Sequence, residues 1–194
     1  MKSKKLYYAS GWFSPEQEEN YQTFTTILKN ANIELFEPRF DAGNLGDGPL
    51  TIDRARRIFQ NDLKGINSCD GIFADISFRD SGVLVEIGYS IKSKEIKDEA
   101  EKALMKWLNA QADYSSHLID FEQFQLAKEE YYKALENIVF SNKVSEITIL
   151  DNSSRQKMNI MLASAADNCI RNEEEANDYV SGENVFDLGN KELE

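Results

Sequence analysis

The chain has 194 residues, of which 41% are apolar and 11% aromatic, and its formal net charge at pH 7 is −12. This composition excludes a disordered chain and supports one domain, residues 1–194, with a core of its own. The negative charge repels phosphate backbones and anionic lipid surfaces, which argues against nucleic acid polymers and membranes as partners but not against a neutral nucleoside.

Strands and helices alternate along the first half of the chain. Ser14, Pro15 and Gln17 combine three helix-start signals: a capping Ser, a Pro at the first helical position and a Gln three residues after the cap. β-Branched and aromatic runs predict strands at residues 6–9, 33–36 and 72–76. Apolar residues at helical spacing predict helices at residues 15–31, at residues 52–67 and from about Gly82 onward.

After about residue 92 the pattern changes to long, charge-rich helical stretches. We expect helices at residues 95–110 and 121–138, joined by a loop around residues 114–117 into a helical hairpin. Strand character returns at residues 146–150, and a last strand is expected near Tyr179.

This order of elements predicts the α/β class. We expect a doubly wound fold, flavodoxin-like or Rossmann-like, in which a parallel five-stranded sheet carries helices on both faces. The helical hairpin, at about residues 92–143, would be an insertion before the fourth strand.

Glu86 is the most informative candidate for chemistry. It follows a buried strand in the first turns of a helix, which places its carboxylate at the carboxyl edge of a parallel sheet, where open α/β folds bind ligands. An idle charge there would be costly to bury. An acid that only interacts with the helix dipole is the alternative interpretation.

Three further positions carry candidate polar groups, each with a structural alternative. Asp62 places a carboxylate on the predicted buried stripe of its helix, and its structural alternative is an acid hydrogen-bonded to a neighbouring loop. Asp80 precedes the next helix, where Asp is a common N-cap. Tyr7 lies in the first strand beside Tyr8, so one of the two should face each side of the sheet, and core packing is the default for both.

Several kinds of site are missing from the sequence. There is no glycine-rich phosphate loop, no His-Glu metal helix and no Ser elbow, and the loop at residues 41–49 lacks the acidic alternation of a calcium site. His117 falls in the predicted hairpin loop, where a surface role is expected. We therefore predict no metal and no cofactor, and an enzyme here must work with carboxylates, amides and tyrosines.

Cysteine usage and the absence of targeting segments indicate a cytoplasmic protein. Cys69 and Cys169 lie in no paired or metal-like spacing, so we expect both to be reduced core thiols. The apolar run behind the basic start is too short for a signal peptide, and no stretch is long enough to span a bilayer.

Four segments together resemble the nucleoside 2'-deoxyribosyltransferase family. They are the strand and Gly-Trp-Phe turn at residues 6–13, Asn61-Asp62-Leu63-Lys64-Gly65-Ile66, the Asp-x-Gly-x-x-x-Glu-Ile-Gly-Tyr run at residues 80–89, and Met158-Asn159-Ile160-Met161. The resemblance implies an enzyme that transfers 2-deoxyribose between the bases of free 2'-deoxynucleosides, with retention, through a glycosyl ester. On this resemblance the nucleophile is Glu86, kept ionised by its early-helix position.

The resemblance also implies roles for the other site residues. Tyr7 would orient the Glu86 carboxylate, and Asp62 would exchange a proton with the departing and arriving purine or pyrimidine base. The remaining predicted contacts are Asp80 to the sugar hydroxyls, Trp12 and Phe13 to the base, and Asn159 and Met161 to the site of a neighbouring subunit. A homo-oligomer built from dimers, such as a hexamer, is thus implied.

Two other functions remain open at this point. A related N-glycosidase would hydrolyse the same ester, acting on 2'-deoxynucleosides or nucleotides, although a fixed Asp80 carboxylate would repel a 5'-phosphate. A non-catalytic nucleoside-binding protein would use the pocket without chemistry. The hairpin at about residues 92–143 departs from the family, and it could cover the site, enlarge a subunit interface or block the usual oligomer.

Overall fold

A five-stranded, all-parallel sheet forms the centre of the computed structural model, which describes residues 3–41, 51–138, 144–151, 157–158, 166–182 and 192–193. Its strands, in spatial order, are β2 (Glu34–Phe36), β1 (Lys5–Ala9), β3 (Gly71–Asp75), β4 (Glu146–Leu150) and β6 (Asn168–Ile170). Strand order reverses between β1 and β3, which is the switch point where open α/β sheets bind ligands. Two short strands, β5 (Lys157–Met158) and β7 (Glu192–Leu193), pair separately.

Six described helices surround or extend from the sheet. They are α1 (Pro15–Asn30), α2 (Pro38–Asp41), α3 (Ile52–Ser68), α4 (Ser81–Ser115), α5 (Phe121–Ile138) and α6 (Glu173–Ser181). The predicted start of α1 is confirmed. Ser14 Oγ accepts from the Gln17 backbone N–H at 3.2 Å while Gln17 Oε1 accepts from the Ser14 N–H at 3.1 Å, a reciprocal capping box.

Each face of the sheet has its own core, so the predicted doubly wound fold is confirmed. Alternation along β1 sends Tyr7 to the face covered by α3 and α4, where it packs with Ile66 and Ile87. Tyr8 points to the opposite face, which α1 and α6 cover, and packs there with Phe24.

The strand expected near Tyr179 is wrong, because that segment is helix α6. Asn172 caps the helix by accepting from the Glu175 N–H at 2.9 Å, and three acidic residues follow in the first turn, where the helix dipole favours them. Ala176 and Tyr179 are buried at helical spacing. The fifth strand is instead β6.

The hairpin differs from its prediction in one respect. No separate helix begins near residue 95, because α4 runs unbroken over 35 residues from the sheet edge to Ser115. α5 returns along its distal half, with Trp107 stacked on Tyr131 at a ring-centroid distance of 4.9 Å. The helix that carries Glu86 therefore also forms one arm of the hairpin. No helix among the described residues is long and apolar enough to cross a membrane.

Two glycines provide a matched test of the sheet. A Cβ at Gly71 would lie 2.8 Å from the backbone oxygen of Glu146, whereas one at Gly88, in α4, would meet no heavy atom within 4 Å. We expect Gly71→Ala to lower the free energy of unfolding by about 1–3 kcal/mol, since β3 and β4 must move apart. Gly88→Ala should raise it by about 0.5–1 kcal/mol through helix propensity. Urea unfolding measures both, and equal losses would contradict the close β3–β4 approach.

Candidate active site

A cavity of about 380 Å³ opens between α3 and α4, beside the switch point of the sheet. Its volume suits a small ligand. The side chains that form its walls include Ile58, Phe59, Asp62, Leu63, Val85 and Glu86. Two carboxylates in an otherwise apolar wall make this the candidate active site.

Tyr7 and Glu86 are brought together from distant parts of the chain. The Tyr7 hydroxyl donates to Glu86 Oε1 at 2.6 Å, a short bond of the kind that a charged acceptor makes. Tyr7 is fully buried, and burial together with the nearby Glu86 raises the pKa of its hydroxyl far above the ordinary value. The phenol therefore stays protonated and remains a donor at any physiological pH.

Glu86 does not have the electrostatic environment expected from the sequence. Its pKa is raised to about 7, chiefly by burial; the Tyr7 hydrogen bond lowers the pKa, and the charges of Asp62 and Asp80 add to the rise. The expectation that an early-helix position keeps Glu86 ionised is wrong. α4 begins at Ser81, more than a turn earlier, so Glu86 lies outside the first turn where the dipole acts.

Asp62 shares the cavity wall with Glu86 and is a partly buried acid, as predicted. Burial raises the pKa of its carboxyl group to about 6. Its Oδ1 is inaccessible to solvent and has no hydrogen-bond partner among the described residues. A buried polar atom without a partner is costly, and such atoms occur where a ligand or water completes the site.

The stripe on which Asp62 was predicted to lie is only partly in the core. Ile66 is fully buried, but Phe59 is 51% exposed, and Ile58 and Leu63 join it in the cavity wall. The apolar residues of α3 thus form two surfaces. Those at its C-terminal end contact the core, and those nearer its N-terminus form a wall of the cavity. Periodicity does not distinguish a core from a ligand pocket.

Asp80 caps α4, and this interpretation of the residue is confirmed. Its Oδ1 accepts from the backbone N–H groups of Gly82 at 2.7 Å and Val83 at 3.3 Å. The second oxygen, Oδ2, faces the β1–α1 turn, where a Cβ added to Gly11 would lie 3.3 Å from it. Capping occupies one carboxylate oxygen, and the other is directed toward the turn that carries Trp12.

The turn after β1 presents two aromatic rings. Trp12 and Phe13 lie with ring centroids 5.3 Å apart, and the Phe13 side chain is 75% exposed. Gln17 holds the turn by accepting from the Phe13 N–H at 2.8 Å. Trp12 is half-buried, and an exposed ring such as that of Phe13 is suited to stacking on a planar base.

Two predicted contacts, Asn159 and Met161, fall outside the residues that the structure describes. The sequence interpretation also missed one residue at the site, Phe36, whose ring stacks on Tyr7 with centroids 5.5 Å apart and an interplanar angle of 13°. Its signal was an aromatic at the end of the strand next to β1. Within the described residues no group of three His, Cys, Asp or Glu side chains could hold a metal ion.

Comparison with known proteins relates the first half of the chain to one family. A family model for nucleoside 2-deoxyribosyltransferase matches residues 6–96, a range that includes Tyr7, Asp62, Asp80 and Glu86. No curated protein matches the chain.

Two solved structures cover most of the chain. A 2-deoxyribosyltransferase from the psychrotolerant bacterium Bacillus psychrosaccharolyticus is 14% identical, with a TM-score of 0.54, over 90% of this chain and 91% of that one. At this identity the likeness concerns the fold. A conserved protein from Enterococcus faecalis V583 is 17% identical, with a TM-score of 0.44, over 93% of this chain and 99% of that one.

The raised pKa of Asp62 makes the stability of the protein depend on pH at this site. The folded state favours the protonated acid, so its contribution is fully present below about pH 4 and is lost as the pH rises through about 6. We expect Asp62→Asn to raise the free energy of unfolding by about 1–2 kcal/mol at pH 8, a value discounted for partial exposure, and to leave it nearly unchanged at pH 4.

Chemical denaturation at the two pH values measures this difference. Glu129→Gln, on the exposed surface of α5, is the control and should change stability little at either pH. A gain in Asp62→Asn that is the same at pH 4 and pH 8 would contradict the burial of this charge.

Proposed function

We propose, from the match of residues 6–96 to a family model for nucleoside 2-deoxyribosyltransferase, that this chain transfers 2-deoxyribose between the nucleobases of free 2'-deoxynucleosides. The observation that carries the proposal is the 2.6 Å hydrogen bond from Tyr7 to Glu86, in a cavity that Glu86 shares with a second acid, Asp62. A retaining glycosyl transfer requires a carboxylate nucleophile and an acid that can donate a proton, and the side chains of Glu86 and Asp62 supply both groups.

The reaction proceeds in two displacements at C1' of the sugar. Glu86 attacks C1' and forms an ester as the bond from C1' to the base nitrogen breaks. The base leaves with the electron pair of that bond and accepts a proton from Asp62. A nitrogen of the second base then attacks C1', the ester bond to Glu86 breaks, and Asp62 takes back a proton. Two inversions give net retention.

Tyr7 prepares Glu86 for the first displacement. Its hydroxyl occupies Oε1, which leaves Oε2 as the oxygen that forms the ester. The same hydrogen bond favours the charged carboxylate against the burial that raises its pKa. Without this donor, a smaller fraction of the protein would carry an ionised nucleophile at neutral pH.

The protonation states of the two acids oppose this reaction in the free protein. The reaction needs Glu86 ionised and Asp62 protonated, yet the pKa of Glu86 is about 7 and that of Asp62 about 6. The productive arrangement is therefore a minor one, reached by moving a single proton between neighbouring acids. A base nitrogen that accepts a hydrogen bond from protonated Asp62 would favour it, because a hydrogen bond to the neutral form of an acid raises its pKa.

Charge at the sugar end supports free nucleosides as substrates. Asp80 Oδ2 is directed toward the β1–α1 turn, where a 5'-phosphate on the same sugar would meet a fixed negative charge. The sugar hydroxyls, by contrast, can donate to that oxygen. Stacking of the base on Trp12 and Phe13 completes the substrate contacts.

A homo-oligomer built from dimers is part of this proposal. Two large apolar side chains in the cavity wall remain exposed, Val85 at 55% and Phe59 at 51%. Clustered exposed apolar groups are typical of surfaces that are covered by another molecule. A neighbouring subunit would cover them and bring Asn159 and Met161 to the sugar end of the site.

Base exchange tests the proposed function. With deoxyinosine and adenine as substrates, we expect deoxyadenosine and hypoxanthine to form without net loss of nucleoside, as followed by chromatography. Glu86→Gln, which keeps the size of the side chain and removes the nucleophile, should lower the rate by about 10³-fold or more.

The other products of this assay decide between the remaining functions. Free deoxyribose with hypoxanthine, and no deoxyadenosine, would replace transfer by hydrolysis. No turnover over long incubation, or equal turnover in Glu86→Gln, would contradict the proposed function.

A further inference from the structure

The Tyr7 ring is held by a second ring that no motif indicated. Phe36 ends β2 and pairs in register with Tyr7 on β1. The two rings are almost parallel, 13° apart, with centroids separated by 5.5 Å. Offset stacks of this kind fix the orientation of both rings.

Phe36 is in turn confined by the backbone of α3. A Cβ added at Gly65 would lie 2.4 Å from Phe36 Cε1 and 2.7 Å from Cζ, a separation that real Cβ atoms do not show. The Phe36 ring therefore rests directly on the helix, three residues after Asp62. Glycine inside a helix costs about 1 kcal/mol relative to alanine, so a close approach of this kind accounts for its presence.

We propose that Phe36, confined by Gly65, is a positioning residue that fixes the Tyr7 ring so that its hydroxyl keeps donating to Glu86. The proposal rests on the proposed function only in calling Glu86 the nucleophile. Phe36 has no polar side-chain group to offer the carboxylate, and its ring stacks on Tyr7. It acts through Tyr7.

The groups around Glu86 explain why this positioning matters. Tyr7 from β1, Asp62 from α3 and Asp80 at the start of α4 are the titratable groups that influence Glu86. Burial and the two carboxylates favour its neutral form, and Tyr7 alone among these groups favours the charged form. A Tyr7 ring that is free to tilt would lengthen its hydrogen bond and leave the raised pKa of Glu86 without opposition.

The opposite face of the sheet offers a matched control. There Phe73 stacks on Tyr8 with the same centroid distance of 5.5 Å and an interplanar angle of 12°. Tyr8 Oη has no hydrogen-bond partner among the described residues, so this second stack holds no donor onto an acid. Phe73 is fully buried and Phe36 only partly, so its truncation should destabilise the protein at least as much.

NMR titration of ¹³C-labelled glutamate tests the proposal in the protein without substrate, with the Glu86 signal assigned from its absence in Glu86→Gln. Removing the donor in Tyr7→Phe should raise the pKa of Glu86 by about 1, the size expected for one hydrogen bond to a charged group. We expect Phe36→Leu to give at least half of that rise, and Phe73→Leu to give none.

A second substitution covers the case in which Phe36→Leu does not fold. Gly65→Ala leaves Phe36 in the sequence but places a methyl group where the ring now lies, and it should also raise the pKa of Glu86. The proposal is overturned if Phe36→Leu or Gly65→Ala leaves that pKa unchanged, or if Phe73→Leu raises it equally.

The titration and the base-exchange assay fail independently. A protein that exchanges no bases but shows the expected titrations would contradict the proposed function and retain Phe36 as the residue that positions Tyr7. A protein that exchanges bases while Phe36→Leu titrates unchanged would retain the function and reduce Phe36 to packing.

Discussion

The hydrogen bond from Tyr7 to Glu86 is the interaction on which the rest of the site depends. It joins a central strand to a helix across 79 residues of sequence, so it exists only when β1, β3 and α4 are all in place. Tyr7 is fully buried at one end of the bond, and Glu86 faces the cavity at the other. Sheet register, helix start and ring stacking all fix one oxygen–oxygen distance of 2.6 Å.

Three acids lie around this bond, and the surroundings of their carboxyl groups differ. Asp80 gives one oxygen to the start of α4 and keeps the other toward the β1–α1 turn. Asp62 remains half-buried with an unpartnered oxygen. The charges of Asp62 and Asp80 raise the pKa of Glu86, and the hydrogen bond from Tyr7 lowers it. Such an arrangement lowers stability at neutral pH, and the two cores on either side of the sheet offset it.

The sequence predicted those parts of the fold that local pattern determines. Strand alternation, the Ser14 capping box and the placement of Asp80 before α4 could all be predicted from local pattern, whereas only the family resemblance placed Tyr7, Asp62 and Glu86 at one site. Three features could not be predicted. No residue signals a break in α4 near residue 92. The short acidic segment of α6 has a sequence pattern too weak to distinguish a helix from a strand. The contact of Phe36 with Tyr7 depends on strand order. The pKa of Glu86 also depends on burial, which spacing does not give.

Trapping the glycosyl ester is the most direct test of Glu86 as a covalent nucleophile. The protein is mixed with a 2'-deoxynucleoside and no acceptor base, quenched in acid, and its intact mass and peptides are measured. We expect part of the chain to gain the mass of one deoxyribosyl group, located on the peptide that contains Glu86 and absent from Glu86→Gln. A protein that turns over its substrate yet never gains that mass, or gains it on another residue, would contradict a Glu86 ester.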